Sequence, residues 1–333
     1  MKKKSVVLIV IVLLLSALFA GCAGGEAGGI GDGSGTGGTG DVSGTTGSDA
    51  GGGITLTDMT GREVSLAGPA TKVVALTAAD VEVLYAIGAG DALVGRGEYC
   101  DYPPEALNVQ SVQSGSETNI EQIIALEPQL LIMSKMAQTD EQVQQLENAG
   151  VSTFVTDPQT IDETYTAIAL TGQLVGKESE AQTVTDGMKA VFADLHSKAE
   201  ADAAAGGEQK TIYFEVSPLA YGLWAAGSGT FMDEVAQLLG LKNIFDDVSG
   251  WAQISEEQVI ERNPDYIMTI SMYSGDGPTP VEDILSRAGW ENITAVKDKA
   301  IFNLTENELS RPGPRLADGA TKLYDFVYGG GAE

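Results

Sequence analysis

The sequence predicts an α/β protein of two Rossmann-like lobes joined by a single long α-helix. Three observations carry that expectation. Short apolar runs alternate with helical patterns between residues 72 and 155, as in a parallel sheet covered by helices on both faces. A second alternating set runs from residue 211 to 328. Between the two, apolar residues recur at Ala181, Val184, Met188, Val191, Leu195 and Ala199. That spacing puts one buried stripe on a helix over residues 178–204. Such a helix is about 40 Å long at ~1.5 Å per residue, more than one small lobe needs.

The elements follow in order. Residues 54–58 and 63–66 read as a hairpin around Thr60-Gly61. The apolar strand 72–76 leads into a helix over 80–87 that Gly88 closes. Leu93-Val94 is a short strand, 120–126 a helix ended by Pro128, and 130–133 a strand. A helix over 141–149 stops at Gly150, and strand 151–155 completes the first set. Thr160-x-x-Glu163 is a capping-box pattern opening a helix that runs to about residue 175, before Gly176. The long helix then ends at Ala205-Gly206-Gly207. The second set comprises strand 211–216, helices 231–239 and 256–262, strand 266–270, helix 281–288, strand 300–304 and helix 314–328. The division is therefore a first lobe at 54–159, a helical connector at 160–207 and a second lobe at 208–333. Ligands of open parallel sheets sit beyond the carboxyl ends of the strands, which here would face each other across a cleft.

The N-terminus has its own logic. Lys2, Lys3 and Lys4 precede an apolar run from Val6 to Leu15, and small residues follow. These are the three parts of a secretory signal, and the run is short of the ~20 residues that a membrane span needs. Cys22 directly after Ala20-Gly21 resembles the bacterial lipobox. Residues 1–21 are thus expected to be a lipoprotein signal peptide, with Cys22 acylated as the mature N-terminus. Residues 23–53 hold 15 Gly and seven Ser or Thr, a flexible tether with a root-mean-square reach of about 30 Å. The expected location is the extracytoplasmic face of a cell membrane, through a lipid anchor.

Composition narrows the function. The net charge is −28, and it is more negative still without the three N-terminal lysines. Such acidity disfavours nucleic acid. Besides Cys22 there is only Cys100, so no disulfide framework exists if Cys22 carries lipid. Cys100 reads as a small half-buried loop residue, with a metal ligand or reactive thiol as the other possibility. One histidine, His196, cannot build a cage of imidazoles around zinc or manganese. It cannot serve a distant serine either, and no Gly-x-Ser-x-Gly, Walker A or dinucleotide motif is present. Six aromatics fall in predicted loops: Tyr99, Tyr102, Tyr221, Trp224, Trp251 and Tyr273. They either plug the bases of those loops or line the cleft, where rings hold a flat ligand without demanding charge. Trp290, beside Gly289, reads as packing. Predicted cleft loops offer few cations, mainly Arg96, Lys135 and Arg311.

Several segments in this order resemble one family. They include Val73-Val74-Ala75-Leu76-Thr77, Glu98-Tyr99-Cys100-Asp101-Tyr102-Pro103-Pro104-Glu105-Ala106 and the run from Asn119 through Ile120-Glu121-Gln122 to Leu126-Glu127-Pro128. Gly229-Thr230-Phe231, Asn243-Ile244-Phe245, Trp251-Ala252-Gln253-Ile254-Ser255 and Arg311-Pro312-Gly313-Pro314-Arg315 complete the set. The chain resembles the substrate-binding lipoproteins of ABC importers, in the helical-backbone group with vitamin B12-binding proteins and ferric-siderophore receptors. The likeness spans about residues 54–328.

The resemblance implies a class III periplasmic-binding-protein fold and a non-enzymatic role. It implies a metal-chelate ligand, cobalamin or a related corrinoid, with a hydroxamate-type ferric siderophore or haem as the alternative. Trp251 and Tyr99 stand at ligand-contacting positions, with Tyr102, Tyr221, Trp224 and Tyr273 as further candidate contacts. Asn307 stands where the B12 receptor offers an acid, and Gly115 where it offers a tryptophan. Glu121 and Glu257 are implied to dock on arginines of the permease, one glutamate from each lobe. Thr118-x-x-Glu121 is also a capping-box pattern, and Glu257 lies in a first helical turn. ATP hydrolysis would belong to a separate cytoplasmic subunit. The protein itself is expected to hold no cofactor and no metal.

Overall fold

The computed structural model describes residues 52–329, apart from 116–117, 136–139, 205–207, 272–274, 276 and 305–306. The expectations for Cys22 and for Tyr273 lie outside the described residues. A hairpin of β1 (Ile54–Thr57) and β2 (Glu63–Leu66) opens the fold. Its turn is held by Asp58, whose carboxylate accepts from the backbone N–H groups of Thr60 and Arg62 at 2.9 Å.

Five parallel strands form the first sheet: β3 (Val73–Ala75), β4 (Leu93–Gly97), β5 (Ser111–Val112), β6 (Leu130–Ser134) and β7 (Ser152–Thr156). Helices α1 (Ala78–Ala86), α2 (Ile120–Ala125) and α3 (Asp140–Asn148) connect them. The spatial order is β5-β4-β3-β6-β7. The chain thus winds outward one way from β3 and the other way from β6. That reversal leaves a crevice beyond the carboxyl ends of β3 and β6.

Two helices follow, α4 (Ile161–Val175) and α5 (Glu178–Ala204). The capping box of α4 forms as its sequence predicts, and the helix ends at Gly176 in the left-handed region with φ 68°. Gly172 lets α4 and α5 meet closely, because a Cβ there would lie 2.6 Å from that of Ala181. The buried stripe of α5 differs from expectation at one step. Val191 is exposed and Phe192 is buried in its place. Both positions follow Met188 at helical spacing, and the larger ring takes the core.

The second sheet is mixed. It contains β8 (Thr211–Ser217), β9 (Trp224–Ala226), β10 (Lys242–Asn243), β11 (Trp251–Gln253), β12 (Tyr266–Thr269) and β13 (Ile301–Asn303). The order is β11-β9-β8-β12-β13, with β10 paired to the start of β8. Strands β9 and β11 run antiparallel to their neighbours, and β8, β12 and β13 are parallel. Helices α6 (Phe231–Leu238), α7 (Glu256–Arg262), α8 (Pro280–Ser286), α9 (Thr294–Lys297) and α10 (Leu316–Tyr328) cover it.

One hydrophobic core joins the halves. It runs from Val73, Leu84 and Ile132 through Ile168, Leu174, Met188 and Leu195 to Phe214, Met232 and Leu323. The outer faces of the two sheets bury separate clusters, around Ile123 and Leu131 in the first and around Tyr213 and Trp290 in the second. The fold is the expected one: α/β units on either side of a long helix.

Candidate functional site

Residues that follow the strands of the first sheet reach the second half of the chain at a carboxylate cluster and at an indole. At the first, Glu82 of α1 meets Arg311 and Arg315, which precede α10. Arg315 donates from Nε and Nη2 to the two carboxylate oxygens at 2.8 and 2.7 Å. Arg311 donates to the same carboxylate at 3.0 Å, to Asp101 at 2.8 Å and to the Tyr99 carbonyl at 3.4 Å. The Glu82 side chain is 2% exposed, so this is a buried carboxylate between two guanidiniums. A Cβ on Gly313, between those arginines, would be 3.6 Å from the Ala79 carbonyl. The second meeting place is Trp251 of β11, whose Nε1–H donates to Gln159 Oε1 at 2.8 Å. Its ring packs on Phe231 with centroids 5.3 Å apart.

The sequence-predicted aromatics differ in exposure and in the element that carries them. Tyr99 follows β4 and is 68% exposed; Tyr221, in the turn between β8 and β9, is 83% exposed. Trp224 and Trp251 are not in loops, as the sequence suggested, but on strands. The register Trp251↔Ala226 and Gln253↔Trp224 puts both indoles on one face of the β9–β11 ribbon. Tyr102 is partly exposed, and one face of its ring is covered by the Arg315 guanidinium, 3.8 Å from the centroid. Asn307 is half-buried with φ 63°, and its carbonyl accepts from Ser310. A Cβ on Gly115 would meet nothing within 4 Å, so that position opens onto free space.

Two of the predicted cleft cations are corrected. Arg96 is buried and donates to the carbonyls of Ala106 and Gly97 at 2.9 and 3.0 Å, pinning the 97–106 loop. Arg311 is taken by Glu82 and Asp101. All six arginines of the chain are engaged by carboxylates or carbonyls, Arg62, Arg262 and Arg287 included. Lys135 remains exposed at the end of β6, 3.9 Å from Asp157. Polarity in a loop marks a cation, but its partner can be 229 residues away, as Glu82 is from Arg311.

Other expectations resolve locally. Cys100 is fully buried, not half-buried, with its thiol 3.7 Å from the Leu76 carbonyl. Burial, then the nearby Asp80 charge, pushes that thiol up to about 12, which leaves it inert. Trp290 is packed in the second lobe, its Nε1–H donating to Glu256 at 2.9 Å. His196 lies on α5 against the Leu238 carbonyl at 2.9 Å. Helix α2 is capped by Asn119, which accepts from the Gln122 N–H at 3.0 Å; Thr118 instead donates to the Gly115 carbonyl. The Thr118 capping box is thus corrected, and Glu121 stands exposed in the first turn without that duty. Beside it opens a shallow polar depression of ≈470 Å³ lined by Gln113, Thr118, Asn119 and Gln145. Glu257 is likewise exposed in the first turn of α7, whose capping box is formed by Ser255 and Gln258.

Residues 73–308 match the family described as periplasmic binding protein. The chain is 31% identical over 278 residues to an uncharacterized ABC transporter substrate-binding lipoprotein, YvrC, of Bacillus subtilis, covering 83% of this chain and 85% of that one. It is 27% identical over 265 residues to a vitamin B12-binding protein of Vibrio cholerae, covering 78% and 90% respectively. Its fold superposes with a TM-score of 0.64 on the crystal structure of a possible iron-binding periplasmic solute-binding protein of Staphylococcus epidermidis. That likeness has 29% identity and covers 78% of this chain and 99% of the other. The chain belongs to the periplasmic binding protein family.

Two stability outcomes follow from the joint. Glu82→Gln removes the carboxylate that Arg311 and Arg315 share in a buried site and is expected to cost about 3 kcal/mol. Urea unfolding of the variant beside wild type measures this. Asp80, buried under Thr77 and Thr156 hydroxyls, has its carboxyl pushed up by burial to about 6. The folded state therefore holds this proton more tightly than the unfolded chain. The resulting stability is full below about pH 4 and is lost as pH rises through about 6. Asp80→Asn should gain on wild type by up to ~3 kcal/mol between about pH 4 and about pH 8. A pH-independent difference between the two unfolding curves would contradict the assignment.

Proposed function

We propose that this member of the periplasmic binding protein family is the extracytoplasmic solute-binding component of an ABC importer, and that its solute is a bulky, neutral metal chelate of the corrinoid class. The observation that carries this reading is that Tyr99, Tyr102, Tyr221 and Trp224 present exposed rings while all six arginines are already engaged. Rings bind flat macrocycles by area, whereas a carboxylate-rich ligand calls for free arginine forks. Amides on such a macrocycle can pair with Asn307, which both donates and accepts. The B12-binding relative supports the same ligand class.

The likeness to a possible iron-binding protein favours a second reading, a neutral ferric hydroxamate. Haem with carboxylate substituents suits the crevice less, because the one histidine is held on α5 and the arginines are engaged.

Delivery would use the two helix starts. In Asn119-Ile120-Glu121-Gln122 and Ser255-Glu256-Glu257-Gln258, a cap is followed two residues later by the acid and then by Gln. Each acid has an exposed isoleucine one turn on, Ile124 at 37% and Ile260 at 36%. Two like patches, one on each lobe, suit a permease that presents two like cationic surfaces. Hydrolysis of ATP falls to a separate cytoplasmic subunit. Acylation of Cys22 would hold the chain at the membrane, as the lipoprotein name of its relative suggests. Among the described residues no helix is long and apolar enough to cross one.

Calorimetry of the purified protein against cyanocobalamin, ferrichrome and haemin is the direct test. Heat with ferrichrome alone would replace the corrinoid reading by the ferric one. Trp251→Ala is expected to weaken cyanocobalamin binding by about 2 kcal/mol, roughly 30-fold, without unfolding the protein. Glu121→Arg combined with Glu257→Arg should leave that affinity intact and abolish uptake by cells. Normal uptake in the double variant would remove both acids from the docking face.

A further inference from the structure

We infer that Gln159 is the positioning residue for Trp251, tying the indole to the point where the chain leaves the first sheet. The inference rests on the proposed role of Trp251 as a ligand contact. Besides its packing on the core, two restraints on the indole trace to this one residue. The first is direct, the 2.8 Å bond from Trp251 Nε1–H to Gln159 Oε1. The second passes through Phe231, whose ring packs on Trp251 and whose backbone N–H donates to the Gln159 carbonyl at 2.6 Å.

Gln159 is itself fixed on every side. Its Nε2 donates to Asp157 Oδ1 at 3.0 Å. A carboxylate only accepts, so this bond sets the amide with Oε1 toward the indole. Its backbone N–H donates to Glu163 Oε2 at 2.7 Å, within the cap of α4. Two residues on, the Ile161 N–H donates to Glu234 of α6 at 2.6 Å. The segment 157–161 thus grips both halves, and the Gln159 side chain ends on the indole. An indole free to rotate offers less pre-organised surface to a ligand. Gln159 removes that freedom.

The test compares full-length wild type, Gln159→Met, Trp251→Phe and the double variant. Methionine has similar length but neither donates nor accepts strongly at that tip. With cyanocobalamin as the calorimetric probe, Gln159→Met should lower affinity about 5-fold in the wild-type background, the scale of one lost hydrogen bond. In the Trp251→Phe background the same change should cost less than about twofold. Equal losses in both backgrounds overturn the inference, because Gln159 would then act on the lobes at large. A second readout needs no ligand. The fluorescence that Trp251 contributes, taken as the difference from Trp251→Phe, should become more accessible to acrylamide in Gln159→Met. Unchanged quenching also overturns the inference. If Trp251→Phe leaves cyanocobalamin affinity unaltered, or that probe does not bind, the ligand reading fails while quenching still decides the positioning role.

Discussion

A single buried carboxylate, Glu82, governs how the two halves meet. It sits on α1 of the first sheet and receives three donor groups from Arg311 and Arg315 of the second. Removing three charged groups from water is costly, and a well-packed apolar patch of the same volume could hold the halves as firmly. What an apolar patch lacks is direction. The Arg315 fork engages both carboxylate oxygens, so the relative rotation of the halves is specified as well as their distance. The stability comes from elsewhere, from the core that runs unbroken along α4 and α5.

The same carboxylate sets the chemistry left over. An arginine satisfied by Glu82 and Asp101 has no fork to offer a ligand, and Arg315 turns its face to Tyr102. The exposed groups of the sequence-predicted set are therefore phenols and an indole rather than guanidiniums. In the proposed role, a ligand would meet few free guanidiniums. On the proposed reading, selectivity would depend on shape, ring contact and a few amide groups such as Asn307, not on net charge.

Much of this was legible in the sequence, and the limits have physical reasons. Helix α5 could be read because its stripe repeats from Ala181 to Ala199 within a helix of 27 residues, long enough for the period to declare itself. The α4 cap was legible because its partners lie three residues apart. Strands β9 and β11 have three residues each and no alternation to detect. They exist through antiparallel pairing with each other and, for β9, with β8. Arg311 looked like a ligand contact because nothing in a one-dimensional pattern links it to Glu82. Gln159 gave no signal at all, since it precedes the capping box as an ordinary polar residue. Its importance comes from Trp251, 92 positions later.

Charge and stacking then divide the labour in the proposed role. A net charge of −28 creates a field that is felt over roughly a Debye length, about 8 Å at physiological salt. That field acts on a charged permease surface and leaves a neutral chelate unsteered. Docking should accordingly slow as salt is raised, whereas capture of the solute should not. The two contacts between the halves also restrain motion, since opening the crevice wide would break the Glu82 cluster and the Trp251–Gln159 bond together. A shared core along a rigid helix pair resists such opening further. The rings of Tyr99 and Tyr221 are exposed, so in the proposed role they could adjust to a ligand without separating the sheets.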